Sequence, residues 1–407
     1  MNIRLFWAIT AISALIGCSR SDDVQYEELF SLSFGYNDNE IGINLNSENM
    51  LEYGIDFDYK NNFFYISDSI NNKVIKLTEK GEALLIAYNP ETNPILKSTD
   101  VSTATGDEIL FTKLYREYGL YAPEIIASDG DRNIYVVNKD PELKKINENQ
   151  SISDQLILKF NNNGDFLYLL GTEGKGSLTP FTHITDIKID DKNNLLIKED
   201  FDENTLICKF DKNGALLKKS AVNKKEIPLQ KNEENLIAIQ SGVFLGYKED
   251  ELYITSQFIK ENLESSLILK YETLYEKLFG YSLQNDKYQR LIMKIQQKFT
   301  DISKLTNYND IKDIYGENKV IARPIDDFAG IDIYSNIYFI QRDISIKGKN
   351  INDFTLAEYD TNGRLKKNYI VNYPPDIEVT SNLLISDFGA AYSYYIKGEE
   401  ITFVKIK

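Results

Sequence analysis

The feature of this chain that most constrains its fold is a hairpin that recurs along the sequence. Each copy has an apolar run, a polar turn with a glycine, and a second apolar run; the turn glycines are Gly81, Gly164, Gly214 and Gly363. The last three follow an asparagine, and Asn-Gly between apolar runs is typical of a tight β-hairpin. A unit of about fifty residues fits the spacing if the first unit carries an insertion and the last interval spans several units.

A second hairpin precedes each of these turns. In the clearest copy, Gly54 to Asp68, polar and apolar residues alternate on both sides of a Lys-Asn-Asn turn. Similar pairs occur at Ile125–Asn138, Ile184–Asp200, Val243–Ser256 and Phe328–Asp343, with a weaker one between Leu383 and Ile396. Four short strands per unit form one propeller blade. The sequence therefore predicts an all-β, six-bladed β-propeller with small helical insertions; two β-sandwiches or a seven-bladed ring are the competing architectures.

The two chain ends offer a way to close such a ring. Ile401–Lys407 is predicted to be a third strand without a fourth, whereas Glu28–Gly35 resembles the fourth strand predicted at Asp165–Gly171. Pairing the two ends would remove the open edges of a linear array. We therefore expect the propeller to span residues 26–407.

One unit carries a family resemblance. Gly54–Leu84 resembles an NHL repeat, through Asp58, Asn62, Tyr65, Asp68, Asn72, Lys73 and Gly81. Asp190, Asn194 and Gly214 repeat part of the pattern in the third unit. The resemblance implies a six-bladed ring, and the overall layout is also similar to the propeller lipoproteins of spirochaetes and related bacteria.

Some NHL-type propellers are amidating lyases with zinc-bound histidines, and others are lactonase-like hydrolases with an acidic metal site in the channel. The first does not fit, because His183 is the only histidine here. The second stays open.

The first residues have the parts of a bacterial lipoprotein signal. Arg4 precedes an apolar stretch, Leu5–Ile16, that is too short to span a bilayer, so residues 1–17 are predicted to be a signal peptide. Leu15–Cys18 resembles the lipobox, which implies a lipid on Cys18. Residues 18–25 would then be a polar tether. We expect an exported protein, anchored to the outer membrane or to the periplasmic face of the inner membrane.

Two connections are too long for simple turns, Tyr88–Ala122 and Leu283–Arg323. In the second, apolar residues recur at the three- and four-residue spacing of one helix face: Tyr288, Leu291, Ile292, Ile295, Phe299 and Ile302. This pattern predicts a helical insertion at about residues 284–322, with Asn285-Asp286 as its cap.

Charge and composition narrow the chemistry. The net charge of −16 argues against a nucleic-acid partner. Asp129–Asn133 has the alternating oxygen donors of a calcium loop, but it lacks the glycine and the glutamate that an EF-hand requires, so a hairpin turn is favoured. We expect no cofactor, with a divalent cation such as calcium as the alternative. Cys208, in an apolar run, is predicted to be a buried, inert thiol.

No catalytic or metal-binding motif stands out. Four polar residues are predicted to lie on the face of the second-to-third-strand loops or in the channel: Asp68, Asn72, His183 and Asp200. The favoured function is a non-enzymatic scaffold that binds an envelope or surface protein, a peptide or a glycan. The alternative is a metal-dependent lyase or hydrolase with an acidic site in the channel.

Overall fold

The structure is a computed structural model, and it describes part of the 407-residue chain. The described residues are 22–23, 26–42, 44–45, 51–93, 113–142, 145–146, 152–172, 181–263, 269–296, 299–301, 320–322, 326–342, 354–374, 377, 379–380 and 383–407. The predicted signal peptide and Cys18 lie outside these ranges. Across the described ranges, no helix is both long and apolar enough to cross a membrane.

Six blades of four antiparallel strands form a β-propeller, as the repeat predicts. From the channel outwards, the strands of blades 1 to 3 are Ile55–Lys60, Phe63–Asp68, Lys73–Thr78 and Ala83–Tyr88; Ile126–Ser128, Ile134–Lys139, Gln155–Phe160 and Phe166–Leu170; and Ile184–Ile189, Leu195–Asp200, Asn204–Phe210 and Leu216–Asn223. Those of blades 4 to 6 are Ile237–Leu245, Glu251–Leu263, Leu269–Ser282 and Lys287–Gln296; Asp327–Ile331, Ile337–Arg342, Phe354–Tyr359 and Leu365–Val371; and Leu384–Ile385, Ala391–Lys397, Glu400–Lys405 and Glu27–Phe34.

Some shorter strands extend a blade at its edge, and others pair with each other in the connections. Leu114–Glu117 runs parallel to the outer strand of blade 1, and Asp22–Asp23 runs parallel to that of blade 5. The others are Glu40–Ile41, Val379–Thr380, Asn44–Leu45 with Leu51–Tyr53, Lys145–Ile146 with Ile152–Ser153, and Phe299–Asp301 with Val320–Ala322. A 3-10 helix at Lys231–Glu233 is the one helical element in the described part of the chain.

The ring is closed by pairing of the two chain ends, as the sequence predicts. The N-terminal strand Glu27–Phe34 runs antiparallel to Glu400–Lys405, and Ser31 lies opposite Thr402 with 2.9 Å between the hydroxyl oxygens. Phe30 stacks on Phe403 with 4.9 Å between the ring centroids. Blade 6 therefore takes three strands from the end of the chain and one from its beginning.

Alternating apolar residues build a separate hydrophobic core between each pair of neighbouring blades. Tyr65 and Val136 belong to the core between blades 1 and 2, for example, and the richest aromatic core, with Phe57, Phe64 and Phe403, joins blade 6 to blade 1. Cores of the same kind lie between the other pairs. Because both faces of each blade are covered, the middle strands carry the nearly continuous apolar runs seen in the sequence.

The helix predicted within residues 284–322 is wrong where the structure describes it. Lys287–Gln296 is the outer strand of blade 4, and Asp286 lies in the preceding hairpin turn with φ +51°. Two register shifts leave Gln289 and Ile292 bulged out of the strand pairing. Tyr288 packs against the core towards blade 3, and Ile292 and Ile295 belong to the core towards blade 5. These three residues are consequently four and three positions apart, which imitates helical spacing. Residues 302–319 lie outside the described ranges.

Candidate binding channel

The first strands of all six blades surround a central cavity of about 230 Å³. Asp56, Asp58 and Lys60 alternate along the first strand of blade 1, so their side chains share the channel face while Ile55 and Phe57 are buried in the interblade core. The other charged lining residues are Asp186 and Lys188 of blade 3 and Asp387 of blade 6. The cavity wall thus carries four carboxylates and two lysines.

Asp56 and Asp58 fasten blade 1 to blade 2. A carboxylate oxygen of Asp56 accepts a hydrogen bond from the main-chain N–H of Ile126 at 2.9 Å. Asp58 accepts from the N–H of Ser128 at 2.7 Å and from its hydroxyl at 2.6 Å. The first strand of a blade has a free edge towards the channel, so these carboxylates satisfy N–H groups that no strand pairs.

Enclosure by the ring shifts the protonation of several channel groups. Burial raises the pKa of Asp56 to about 7, and the nearby charges of Asp58 and Asp186 act in the same direction. Burial also raises the pKa of Asp186, against the opposing influence of Lys198 and Lys188. It lowers the pKa of Lys188. Each of these side chains still borders the cavity, so the cause is loss of bulk water rather than complete removal from solvent.

Lys60 crosses one mouth of the channel. Its ammonium group lies 3.3 Å from a carboxylate oxygen of Asp387 and donates a hydrogen bond to the hydroxyl of Tyr247 at 3.4 Å. Tyr247 belongs to blade 4, which lies opposite blade 1 in the propeller. The ammonium of Lys188 lies 5.1 Å from the centroid of the Tyr247 aromatic ring. Burial raises the pKa of Asp387, while Lys60 opposes the shift. This mouth is the one surrounded by the first-to-second-strand turns.

The same turns form a linked rim around that mouth. Hydrogen bonds between neighbouring blades run from Asn61 to Gly130, Gly130 to Asn193, Glu249 to Asp191, and Ile333 to Asp387. Two aromatic side chains of this rim face solvent, Tyr334 with 61% and Phe388 with 74% of its surface exposed. Among the described aromatic residues, Tyr36 away from this rim is about as exposed, with 60%, whereas most of the others are buried or half-buried.

Three of the rim turns share an aspartate whose carboxylate accepts hydrogen bonds from an asparagine four positions later. In Asp129–Asn133, one carboxylate oxygen of Asp129 accepts from the N–H groups of Asp131 and Asn133, and the other accepts from the Asn133 side chain. Asp190 with Asn194 and Asp332 with Asn336 repeat the arrangement. The interpretation of Asp129–Asn133 as a hairpin turn is therefore confirmed.

Two of the four predicted site residues have structural partners in blade 1. Asp68 is buried and accepts hydrogen bonds from the N–H groups of Gly42 and Asn71, each at 3.0 Å, with the ammonium of Lys73 at 3.9 Å. Asn72 adopts φ +50° and accepts from the N–H of Ala122 at 2.7 Å. It ties the turn of blade 1 to the start of blade 2.

The other two lie together in blade 3. Asp200 accepts hydrogen bonds from the hydroxyls of Thr205 at 2.6 Å and Thr185 at 3.3 Å. His183 is exposed, and its carbonyl accepts from the N–H of Asp200 at 3.3 Å. All four predicted residues sit at the second-to-third-strand end of their blades, and none of them lines the cavity.

The structure also bears on two further expectations. Cys208 is buried, as predicted, and burial raises the pKa of its thiol to about 11. Among the residues described, no group of three or more His, Cys, Asp or Glu side chains could hold a metal ion.

Fold and channel together define this protein as a six-bladed β-propeller. Neither a family model nor a curated protein matches the sequence. Similar solved structures include a gluconolactonase from Xanthomonas campestris, 10% identical over 96% of this chain and 91% of that one, with a TM-score of 0.39.

Others are a polysaccharide lyase, an ulvan lyase, 10% identical over 93% and 95% with a TM-score of 0.42, and a DUF4221 protein from Bacteroides vulgatus, 9% identical over 95% and 99% with a TM-score of 0.40.

Proposed function

We propose that this protein is an exported, lipid-anchored propeller that binds a ligand or partner of the cell envelope without transforming it. The anchor rests on the lipobox-like Leu15–Cys18 and on the short polar segment that follows it. The N-terminal strand Glu27–Phe34 belongs to the ring itself. A lipid on Cys18 would therefore hold the folded body close to a membrane, without an intervening domain.

The observation that carries the binding role is the preorganised channel. Three of its carboxylates are held in position before a ligand arrives, Asp56 and Asp58 by main-chain N–H groups of blade 2 and Asp387 by Lys60 at the mouth. Concave sites with a few fixed polar groups are where proteins bind small ligands. The exposed Tyr334 and Phe388 beside the mouth suit contact with a protein, a peptide or a glycan.

The anchor is tested by comparing Cys18→Ser with the unaltered chain in a bacterial host. We expect the unaltered chain in the membrane fraction, with acyl chains on Cys18 by mass spectrometry, and the variant as unprocessed or unlipidated protein. Cys208→Ser is the matched control, because Cys208 is a buried thiol within blade 3 and should leave lipidation unchanged. Equal membrane retention of Cys18→Ser would contradict the anchor.

The binding role is tested by cross-linking in envelope preparations. We expect a partner recovered with the unaltered chain and lost from the double variant Tyr334→Ala, Phe388→Ala. The matched control is Leu217→Ala, which removes an exposed apolar side chain from the outer strand of blade 3. Equal recovery with the double variant would exclude the rim as the contact surface.

The alternative is a metal-dependent lyase or hydrolase, and four carboxylates line the channel in which it would act. A carboxylic acid with a pKa of about 7, such as Asp56, is suited to proton transfer at neutral pH. Titration of Mg²⁺ or Ca²⁺ into the full chain separates the two functions. Saturable binding that Asp56→Asn abolishes would favour the enzyme.

A further inference from the structure

The carboxylates of the channel differ in how many ion pairs and hydrogen bonds they make, from the mouth inwards. At the mouth, Asp387 is paired with Lys60. One level deeper, Asp58 accepts hydrogen bonds from Tyr59 N–H and from both donors of Ser128. The next level holds Asp56, with one main-chain hydrogen bond from the neighbouring blade, and Asp186.

Asp186, which accepts a hydrogen bond from the main-chain N–H of Ile187, is less compensated than Asp387 and Asp58. Within the described chain it has no ion pair at 4 Å or less, although Lys188 and Lys198 act on it from farther away. The ammonium of Lys198 instead donates to the carbonyl of Val243 at 3.1 Å. Lys188 lies beside the ring of Tyr247, on the mouth side of Asp186. The two lining lysines thus lie nearer the mouth, and Asp56 and Asp186 lie behind them.

We propose that Asp56 and Asp186 bind the protonated primary amine of a ligand that enters the channel, such as a lysine side chain or an alkyl diamine. This deepens the proposed binding role and rests on it. An ammonium group offers three N–H donors to carboxylate and carbonyl oxygens. Ala127, Phe328 and Ala329 give the cavity apolar wall for the attached alkyl chain.

An amine fits this geometry better than a metal ion does. Asp56 belongs to blade 1 and Asp186 to blade 3, with the first strand of blade 2 between them. Calcium prefers six to eight oxygen ligands at about 2.3–2.6 Å, which needs several acids converging on one point. Two carboxylates on different blades instead suit an ammonium group, which has three N–H donors and needs only two or three oxygen acceptors.

Protonation of Asp56 supplies an independent readout. The groups that share the channel with it are Asp58, Lys60, Asp186, Lys188, Asp387 and Tyr247. Since the Asp56 carboxyl has a pKa of about 7, roughly a tenth of it is ionised at pH 6 and roughly nine-tenths at pH 8. Ionisation of Asp56 alone should therefore tighten amine binding by about tenfold over that interval, and the raised pKa of Asp186 acts in the same direction.

The test is calorimetric titration of 1,5-diaminopentane into the full chain in detergent. We expect saturable binding at pH 8 that weakens at least tenfold in Asp56→Asn and in Asp186→Asn, and at least about tenfold at pH 6 in the unaltered chain. Asp202→Asn, at an exposed position, is the matched control and should bind normally. Circular dichroism checks that each variant folds, and 1-pentanol, which lacks a charge, should not bind.

Three results would overturn the inference. Absence of saturable binding would do so, as would binding unchanged in both channel variants, which would reflect the acidic surface. Displacement of the diamine by Ca²⁺ with loss of Ca²⁺ binding in both variants would assign the site to a metal. An envelope partner that still cross-links in any of these cases would leave the proposed binding role intact, so the two failures are distinguishable.

Discussion

Replacement of Asp56 by asparagine should stabilise the propeller, by an amount that depends on pH. Asparagine keeps an oxygen that can accept the hydrogen bond from Ile126 N–H, but it carries no charge. In the folded chain the carboxyl has a pKa of about 7, against 3.8 when unperturbed. The folded state therefore holds its proton more tightly, and the unaltered chain loses stability as pH rises from 3.8 through 7.

The magnitude follows from the size of that shift. A difference of about three pKa units at about 1.4 kcal/mol each gives about 4 kcal/mol at pH 8, and about 2 kcal/mol at pH 5, where titration of Asp56 is incomplete. Both values are upper limits, because water in the channel screens the charge of Asp56. For a chain of this length the unfolding entropy is about 0.8 kcal/mol per kelvin, so the gain in Tm is about 5 °C at pH 8 and about 2 °C at pH 5.

The assay is thermal unfolding followed by circular dichroism at both pH values, for the unaltered chain, Asp56→Asn and Asp202→Asn. Asp202 is exposed, so its variant should melt with the unaltered chain at each pH. The claim that burial raises the pKa of Asp56 would be refuted if Asp56→Asn melted no higher than the unaltered chain at pH 8. It would also be refuted if the gain in Tm were the same at pH 5 as at pH 8.

Three other changes should destabilise the ring. Phe403→Ala removes a buried ring from the closing core and should cost about 3–5 kcal/mol of unfolding free energy in urea titrations. Glu233→Gln leaves the buried ammonium of Lys277 without its 2.6 Å carboxylate partner and should cost about 3–5 kcal/mol by the same measurement. Gly164→Ala places a Cβ 2.5 Å from a methyl of Leu85 at φ +79°, and should lower the Tm by at least about 1 °C.

Each of these changes has a matched control. Leu217→Ala removes an exposed side chain, and Glu234→Gln neutralises the exposed neighbour of Glu233; both should leave stability unchanged. Gly398→Ala imposes a similar positive φ, +59°, where nothing lies within 4 Å. A loss in Gly398→Ala equal to that in Gly164→Ala would mean that backbone strain alone, rather than the contact with Leu85, sets the cost.

The blades were predictable where local chemistry fixes them. Each Asn-Gly turn predicts the third and fourth strands of its blade from local sequence alone. The pairing of the two chain ends was predictable because each end carries a recognisable strand pattern, although the two are far apart in the sequence. The predicted hairpin Val243–Ser256 of blade 4 is confirmed, but its outer strand was predicted to be a helix because the bulges at Gln289 and Ile292 replace strand alternation with a helix-like spacing. Sequence alone does not reveal a bulge, since it depends on the partner strand.

The channel was predictable only in part. Alternation along Ile55–Lys60 already separates Asp56, Asp58 and Lys60 from the buried Ile55 and Phe57, so this face carried a usable signal. The NHL resemblance instead drew attention to Asp68 and Asn72, which have structural partners. The approach of Lys60 to Tyr247 spans 187 positions and depends on the width of the ring, which no local pattern encodes.

The closing strand also limits where the chain can be cut without harm. If Cys18 is the anchor, a protease that sheds the propeller from the membrane must cleave between residue 18 and Glu27, because Glu27–Phe34 is the outer strand of blade 6. Part of that interval, Asp22–Asp23, is itself paired with Tyr369–Ile370 of blade 5. A cut farther along would remove the strand and expose the edge Glu400–Lys405. Shedding and unravelling of the ring are thus separated by only a few residues of chain.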